Sequence, residues 1–347
     1  MSITDMYELP EIITADYYDN LPNFTREAIW QLCSRDLNEN DCRINSMEEL
    51  SRLCFNTKTR FPDKLQDMAD KVLEDGKKHA LDDVSLTGKG VKVAVIDRAI
   101  NKNHTEFKDR IEYINVMPDD PLSEEIDFHG MTCASFLSGS TCGVATESEL
   151  VYFAIPNRMD DIKRYYGYQL RALEKILEYN KTSSSPIRVV SLSARFSPEQ
   201  TEERDKLAAE LEKTGCTLFD IALFGRYFHG IDFVRYGQKP EYQFDKWQIE
   251  NYENNKDRPG IADFYSSLCY IPATRRTSAS NDSDDAYIHW SKAVSWSWTV
   301  PHAAGAYALC LQSDPNMSTA DFIEKCKSCP RINGHIVLDI KRLIQNV

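Results

Sequence analysis

The sequence contains no long apolar run: no segment approaches the roughly 18 consecutive apolar residues that a membrane-spanning helix requires. Positive charge is also scarce, because 41 Lys and Arg residues stand against 54 Asp and Glu residues, which gives a formal net charge of −13. An acidic chain has no sequence-independent attraction to nucleic acid or to anionic lipid. We therefore expect neither nucleic acid nor a membrane among the partners of this protein.

The first residues, Met1 to Asp16, lack the basic start and the apolar core of a secretory signal. The ten cysteines are therefore expected to be reduced thiols and not disulfides, and we predict a cytoplasmic protein. The closest cysteine pair, Cys326 and Cys329, forms a lone CxxC motif. No second pair stands nearby to complete a zinc site, so we interpret these residues as thiols at the end of a helix.

The composition is that of a globular protein with a sizeable core, since 42% of the 347 residues are hydrophobic and 27% are charged. Residues 1–85 alternate helix-like segments with acidic turns and predict a small helical extension. This extension is either a removable pro-segment or a permanent part of the fold, and the sequence leaves both open. Residues 86–347 are predicted to form the main domain.

The main domain begins with alternating strand and helix patterns. Val91–Ile96 is a short β-branched run of the kind found in buried parallel strands. Strands that alternate with helices predict a mostly parallel sheet with helices on both faces. From Gly225 to Ala293 the pattern becomes irregular, with one hairpin expected. Three further strands are predicted: one that ends at Ile155, one over Ile187–Ser193 and one over Cys216–Phe224. Helices are predicted over 160–179 and 202–213. A serine-capped helix over 318–326 and a closing segment over 336–343 are also predicted.

One stretch near the end of the sequence, Trp298–Leu311, is almost uncharged and rich in alanine. Such a run predicts a helix that is buried on every side. Ser297 stands at its expected beginning, where serine is a favoured N-cap and where unpaired N–H groups gather. Ser297 is therefore either a capping residue of a core helix or a nucleophile presented at the helix start.

Three residue types needed for nucleophilic hydrolysis occur at chemically suitable places. Asp97 ends the first predicted strand, His129 opens a helix of small residues, and Ser297 opens the buried helix. Each residue alone is explained by a structural role. Together they match a mechanism in which Ser attacks, His removes its proton and Asp orients the imidazole. The chain order Asp, His, Ser is that of subtilisin.

At these residues the sequence resembles the subtilisin-like serine proteases, or subtilases. Thr87–Asp97 (Thr-Gly-Lys-Gly-Val-Lys-Val-Ala-Val-Ile-Asp), Asp127–Thr132 (Asp-Phe-His-Gly-Met-Thr) and Ser297–Gly305 (Ser-Trp-Thr-Val-Pro-His-Ala-Ala-Gly) are similar to the three catalytic segments of that family. The resemblance extends in order over about residues 80–347. It implies a three-layer subtilisin-like α/β fold, the triad Asp97, His129 and Ser297, a peptide or protein substrate and no organic cofactor. Family members often carry structural calcium, but no ligand loop is identifiable here, and no metal is assigned to the site.

The sequence departs from the family pattern around these motifs. Arg98-Ala99 stands where a small hydroxyl residue and Gly are usual, and Ser295-Trp296 replaces Gly-Thr. Trp296 is therefore expected to contact the substrate cleft. The segment Val190–Arg195 resembles the strand that lines the substrate groove, which makes Ser193, Ala194 and Arg195 candidate substrate-binding residues. If Arg195 lies beside the groove, its charge would favour acidic peptides. The equal alternative is that Arg195 is a surface residue with no role in substrate binding.

The oxyanion hole is the largest departure from the family. Subtilases use an Asn that follows the fourth strand, but here the predicted strand Thr217–Phe224 leads to Gly225-Arg226-Tyr227. Arg226 is the candidate replacement donor. Loss of one such donor lowers turnover by on the order of 10²–10³ in known cases.

These observations predict a serine endopeptidase that works through an acyl-enzyme, with activity weakened by the missing Asn. The alternative is a pseudoprotease that binds a peptide or a partner protein on the same fold. A third possibility is a nucleotide-binding domain, but Thr87-Gly-Lys-Gly precedes its strand and a phosphate loop follows one. The oligomeric state and the substrate specificity are not predicted.

Overall fold

The computed structural model describes residues 85–158, 160–231, 266–272, 276–285, 287–290, 296–329, 331–332 and 335–345. The predicted N-terminal extension, residues 1–85, therefore lies outside the described residues except for Ser85. The centre of the fold is a five-stranded sheet of order β2-β3-β1-β4-β5, and all its neighbouring strands pair in parallel. Its strands are β1 (Lys92–Arg98), β2 (Ile111–Asn115), β3 (Glu149–Ile155), β4 (Val189–Leu192) and β5 (Thr217–Asp220).

Both faces of this sheet are buried. In β1, Val93 and Val95 belong to one core cluster, and the alternate residues Ala94 and Ile96 belong to another. Side chains that alternate along a strand point to opposite faces, so each cluster marks one layer of helices. Helices α1 (Phe128–Ser138) and α5 (Trp296–Ser313) supply residues to the first cluster, and α2 (Ile162–Thr182) and α3 (Pro198–Lys213) to the second. The predicted three-layer α/β arrangement with helices on both faces is confirmed.

Helix α5 is the buried helix that the sequence predicts, and its residues from Trp298 to Leu311 are all buried. It begins at Trp296, one residue before Ser297. Ser297 therefore lies inside the first turn, which does not fit the alternative that it is the N-cap of this helix. The N-terminal cap of α2 is clear, because the Asp161 carboxylate accepts from the backbone N–H of Arg164 at 3.1 Å.

The predicted strand from Cys216 to Phe224 is wrong in its second half. Strand β5 ends at Asp220, and the chain continues directly into the short helix α4 (Ile221–Tyr227). The cause is Asp220, whose carboxylate accepts from the backbone N–H of Leu223 at 2.9 Å and so caps the helix. The apolar run after Asp220 continues as a helix, so Gly225-Arg226 does not follow a strand.

The irregular region contains the expected hairpin, formed by the antiparallel strands β8 (Arg276–Ala279) and β9 (Tyr287–Trp290). It also contains two parallel strands that the sequence did not reveal, β6 (Phe228–Ile231) and β7 (Cys269–Pro272). These belong to a second sheet with two later strands, β10 (Arg331–Ile332) and β11 (His335–Val337), in the order β10-β11-β7-β6. The chain then closes through α6 (Thr319–Lys327), β10 (Arg331–Ile332), β11 (His335–Val337) and α7 (Ile340–Gln345).

Helix α6 begins as predicted, with Ser318 as its N-cap and Asp321 completing a reciprocal capping box. Cys326 lies in the last turn of this helix and Cys329 just after it, and both are buried free thiols. This is the position that was expected for the CxxC motif. Within the described parts of the chain, none of the helices combines the length and apolar character needed to cross a bilayer.

Candidate active site

Asp97 and His129 come from different segments and meet at one edge of the sheet. Asp97 is the sixth residue of β1, and His129 is the second residue of α1. A hydrogen bond of 2.7 Å joins Asp97 Oδ2 to His129 Nδ1. When the imidazole is neutral, this contact places the proton on Nδ1 and leaves Nε2 as the basic nitrogen. The arrangement is that of a carboxylate orienting a general base.

The position of His129 depends on its neighbour Gly130. A Cβ atom at Gly130 would lie 2.3 Å from the Tyr152 hydroxyl oxygen and 2.5 Å from the Arg98 carbonyl oxygen. Only glycine allows α1 to approach the end of β1 this closely. The helix start is also fixed by Asp127, whose carboxylate accepts from the backbone N–H of His129 at 2.8 Å.

Burial and charge oppose each other in this pair. Burial disfavours the cationic form of His129, but the adjacent Asp97 carboxylate and, to a lesser extent, Cys133 together outweigh it and hold the pKa of the imidazole well above its usual value. For Asp97, burial raises the pKa, while His129 and Arg98 lower it by more, and the net pKa is below the ordinary value. Asp97 is therefore charged near neutral pH, and His129 gains a proton more readily than a free imidazole.

Ser297 lies in the first turn of α5 and is partly exposed. Its backbone carbonyl accepts from Ser193 Oγ at 3.0 Å and from Cys133 Sγ at 3.4 Å. The next residue, Trp298, places its ring 5.3 Å from the His129 ring, measured between centroids. These contacts bring the first turn of α5 against the helix that carries His129.

The candidate groove residues follow β4 at the same edge of the sheet. Ser193 is buried and contacts Ser297 as described, Ala194 is partly exposed, and Arg195 is exposed. Ala194 also accepts a backbone hydrogen bond of 3.4 Å from Ile221, the first residue of α4. Trp296 opens α5, and its side chain lies outside the described set.

Arg226, the candidate oxyanion donor, lies in the last turn of α4 and is exposed. The carboxyl end of β5 is instead occupied by Asp220, which forms a bidentate ion pair with Arg204. The two bonds are 2.7 Å (Nε to Oδ2) and 2.6 Å (Nη2 to Oδ1). The change from strand to helix at Asp220 therefore removes the structural reason for placing Arg226 where the family has Asn. Its role as a donor stays a prediction.

Two side chains at this site had no role assigned from the sequence. Cys133 is fully buried one turn after His129, with Sγ 3.8 Å from His129 Nδ1, and burial raises the pKa of its thiol. Arg98 forms ion-pair distances with two carboxylates, Asp97 and Asp127. Arg98 directly follows the segment Thr87–Asp97 and Cys133 directly follows Asp127–Thr132, and these positions next to the subtilase-like segments were the available signal.

Asp97, His129 and Cys133 each offer a potential metal ligand within 4.8 Å of the others, the one such group found in the part of the chain that the structure describes. A carboxylate, an imidazole and a thiol suit a borderline cation such as Zn²⁺. They do not suit Ca²⁺, which takes about six to eight oxygen ligands. The expectations that the site uses no metal and that structural calcium is compatible with the fold stay predictions.

Comparison with known proteins supports the sequence resemblance. Residues 88–211 match the model of the subtilase family. The chain is 30% identical over 116 residues to Subtilisin-like protease 2 of Arthroderma otae, a match that covers 32% of this chain and 26% of that protein. The corresponding protein of Trichophyton equinum gives 30% identity over 116 residues, covering 32% of this chain and 27% of the relative. The matched segment spans about a quarter of the length of these curated relatives.

Among solved structures, a cold-adapted subtilisin-like serine proteinase aligns with 86% of this chain and 96% of its own chain, with a TM-score of 0.49 and 18% identity. The resemblance to the subtilases predicted from the motifs is confirmed by the family match. That match includes Asp97 and His129 and ends before Ser297.

Proposed function

We propose that this protein is a serine endopeptidase of the subtilisin type, with Asp97, His129 and Ser297 as its triad. The observation that carries the proposal is the 2.7 Å hydrogen bond between Asp97 Oδ2 and His129 Nδ1 beside the first turn of α5. A buried carboxylate on Nδ1 leaves Nε2 to act as a base on a hydroxyl. Ser297 is the hydroxyl residue at the adjacent helix start.

In the proposed mechanism, Ser297 Oγ attacks the carbonyl carbon of a peptide bond while His129 Nε2 takes its proton. The imidazolium then gives this proton to the leaving amine, the C–N bond breaks, and an acyl-enzyme ester remains on Ser297. Water attacks the ester with His129 again as base, which releases the acid product and restores Ser297. Asp97 stays ionised throughout and stabilises the imidazolium. No organic cofactor takes part.

The developing oxyanion needs hydrogen-bond donors. The backbone N–H of Ser297, in the first turn of α5, is proposed as one of them. Arg226 is proposed as the second donor, although its place on α4 differs from that of the family Asn. With a weakened oxyanion hole, we expect turnover lower by on the order of 10²–10³ than with a complete one.

The proposed substrate is a peptide or protein held along Ser193, Ala194 and Arg195, with Trp296 as a further contact. Arg195 is exposed and positively charged, so it favours acidic residues in the substrate. Neither nucleic acid nor a membrane is proposed as a partner, and the location proposed is cytoplasmic.

A specific observation favours a second candidate, a pseudoprotease that binds peptide without cleaving it. The end of β5 carries the Asp220–Arg204 ion pair and leads into a helix, in place of a strand followed by Asn. A protein with this change and a poor oxyanion hole would still bind a peptide in the substrate groove but would not hydrolyse it.

A fluorophosphonate probe distinguishes the two candidates, because it labels a serine only when a base activates the hydroxyl. We expect the full chain to be labelled at Ser297 and Ser297→Ala not to be labelled. Arg158→Gln, which removes an ion pair with Asp120 outside the site, serves as the folded control that keeps labelling. Binding of acidic peptides with no labelling, unchanged by Ser297→Ala, would favour the pseudoprotease.

A further inference from the structure

The guanidinium of Arg98 lies between two carboxylates of the candidate site. Its Nε is 3.6 Å from Asp97 Oδ1 and 3.3 Å from Asp127 Oδ1, and its Nη1 donates to Asp127 Oδ2 at 3.4 Å. The side chains of Arg98 and Asp127 are each 14% exposed, and that of Asp97 is 3% exposed. The Nε atom is buried and makes no hydrogen bond within the described residues, so its contacts with the two acids are electrostatic. An arginine with so little exposure and two acids beside it is part of the site and not a mobile surface cation.

The two carboxylates that Arg98 contacts have different tasks. Asp97 binds His129 Nδ1 with one oxygen, and its other oxygen accepts from the backbone N–H of Arg98 at 2.8 Å. Asp127 caps the helix that carries His129 and donates its own N–H to the carbonyl of Ala99 at 2.9 Å. Arg98 therefore closes a ring of contacts that joins the end of β1 to the start of α1.

We propose that Arg98 is a positioning residue, which bridges Asp97 and Asp127 and thereby fixes the Asp97 carboxylate against the imidazole of His129. The proposal rests on the proposed function, since it assigns Arg98 a part in the same triad. It also explains why a long cationic side chain stands where the family has a small hydroxyl residue. Arg98 acts through Asp97 and does not touch the substrate.

The charge of Arg98 acts on Asp97, the partner of His129, and helps to lower the pKa of that carboxyl. Removing the cation leaves the negative charge of Asp97 less balanced, which favours the imidazolium and raises the pKa of His129. Neutralising Asp127 removes a negative charge and is therefore expected to lower the pKa of His129. Two titratable side chains act directly on His129, namely Asp97 from β1 and Cys133 from α1. The other titratable and charged groups of the cluster act on Asp97 or on Arg98: Arg98, Tyr152 and Tyr165 interact electrostatically with Asp97, and Asp127 interacts with Arg98.

The test uses the full chain with Arg98→Gln, Asp127→Asn and the double variant. Asn keeps the capping oxygen, so Asp127→Asn removes the charge without removing the cap. We expect Arg98→Gln to lower kcat by about 10- to 100-fold with little change in KM, because it loosens the placement of the base. We also expect the two single effects to be non-additive in the double variant.

The matched control is Arg158→Gln, which breaks another arginine–aspartate pair of similar exposure in the same domain. It is expected to leave kcat and the acid limb of the pH profile unchanged. If Arg98→Gln fails to fold, Arg98→Lys keeps a cation but loses the planar fork that spans both acids, and it is expected to fold with a reduced kcat.

A second measurement does not require proteolysis. In the Ser297→Ala background, the ¹⁵N resonances of His129 are followed with pH, with and without Arg98→Gln. We expect the His129 pKa to rise when Arg98 is replaced and not to change with Arg158→Gln. An unchanged titration, or an effect on KM alone with acidic substrates, would overturn the positioning role. Lack of probe labelling together with a shifted titration would instead contradict only the proteolytic function.

Discussion

Pro301 stands four residues after Ser297 within α5, and it has no N–H to donate to the Ser297 carbonyl. In a regular helix that carbonyl would accept a hydrogen bond from the backbone N–H four residues later, at position 301. Ser193 Oγ and Cys133 Sγ donate to it instead, at 3.0 Å and 3.4 Å. Because of the proline, the Ser297 carbonyl lacks a hydrogen bond within the helix and accepts instead from Ser193, which follows β4, and from Cys133 on α1. The proposed nucleophile is tied through its own backbone to the groove strand and to the His129 helix.

This relationship predicts the effect of Ser193→Ala. The variant removes the stronger of the two donors and should lower the free energy of unfolding by about 1 kcal/mol, measured by urea denaturation. A fall in kcat should accompany it, because the Ser297 turn is less firmly held. Ser191→Ala is the matched control: Ser191 is buried two residues earlier, and its hydroxyl has no hydrogen bond within the described residues. Equal losses in both variants would contradict the tethering role.

The pH dependence of activity follows from the raised pKa of His129. The base works only when neutral, so kcat/KM should increase with pH on an acid limb whose midpoint lies above about 6.5, the ordinary histidine value. The contribution of His129 to the free energy of unfolding should decrease over the same pH range. Because the folded state favours the imidazolium, its contribution is complete below the unfolded-state pKa and is lost as pH rises through the folded pKa. A midpoint below 6.5 would show that burial outweighs Asp97.

Asp97→Asn tests the orienting carboxylate directly. The amide removes the charge that stabilises the imidazolium and can favour the wrong tautomer, so kcat should fall by about 10⁴-fold. The acid limb should also move to lower pH, because the main group that raises the His129 pKa is gone. Activity measured across pH with a peptide substrate checks both effects. A variant that lost activity without moving the acid limb would indicate a folding defect and not a loss of orientation.

The sequence predicted the parts of this fold that are locally encoded. The β-branched run at β1 and the uncharged run of α5 each specify one buried element without help from distant residues. The pairing of Asp97 with His129 was predicted from the resemblance of their segments to those of the subtilases and not from a local pattern. The short strand β2 was missed because it is only partly buried and so lacks a continuous apolar run.

The errors arose where a distant partner decides the local structure. The run after Asp220 is apolar enough for a strand or a helix, and the helix forms because Asp220 caps it while paired with Arg204 on α3. Likewise, the ring from Arg98 to Asp127 depends on how β1 meets α1, which neither motif reveals alone. Local sequence patterns therefore predict the helices and strands but not the ion pairs between distant segments.

Two glycines provide a test of close packing at the site. At Gly130 an added methyl group meets the Tyr152 hydroxyl and the Arg98 carbonyl, whereas at Gly167, inside α2, it meets nothing within 4 Å. Gly130→Ala should therefore displace α1 and sharply reduce fluorophosphonate labelling. Gly167→Ala should raise the free energy of unfolding by about 0.5–1 kcal/mol through helix propensity alone, with labelling unchanged. Full labelling of Gly130→Ala would mean that α1 can shift without disturbing His129.

The ion pair between Arg204 and Asp220 gives the last prediction. Asp220 is fully buried, and the Arg204 side chain is 11% exposed, so removing one partner leaves the other charge in an apolar setting. Arg204→Met should lower the free energy of unfolding by about 3–5 kcal/mol, measured by urea denaturation. The double variant Arg204→Met with Asp220→Asn keeps a capping oxygen for α4 and should recover much of this loss. The exposed pair of Lys206 with Glu202 on the same helix is the control, and Lys206→Met should change stability by less than about 1 kcal/mol. Failure of the double variant to recover stability would mean that α4 needs the charge of Asp220 and not only its oxygen.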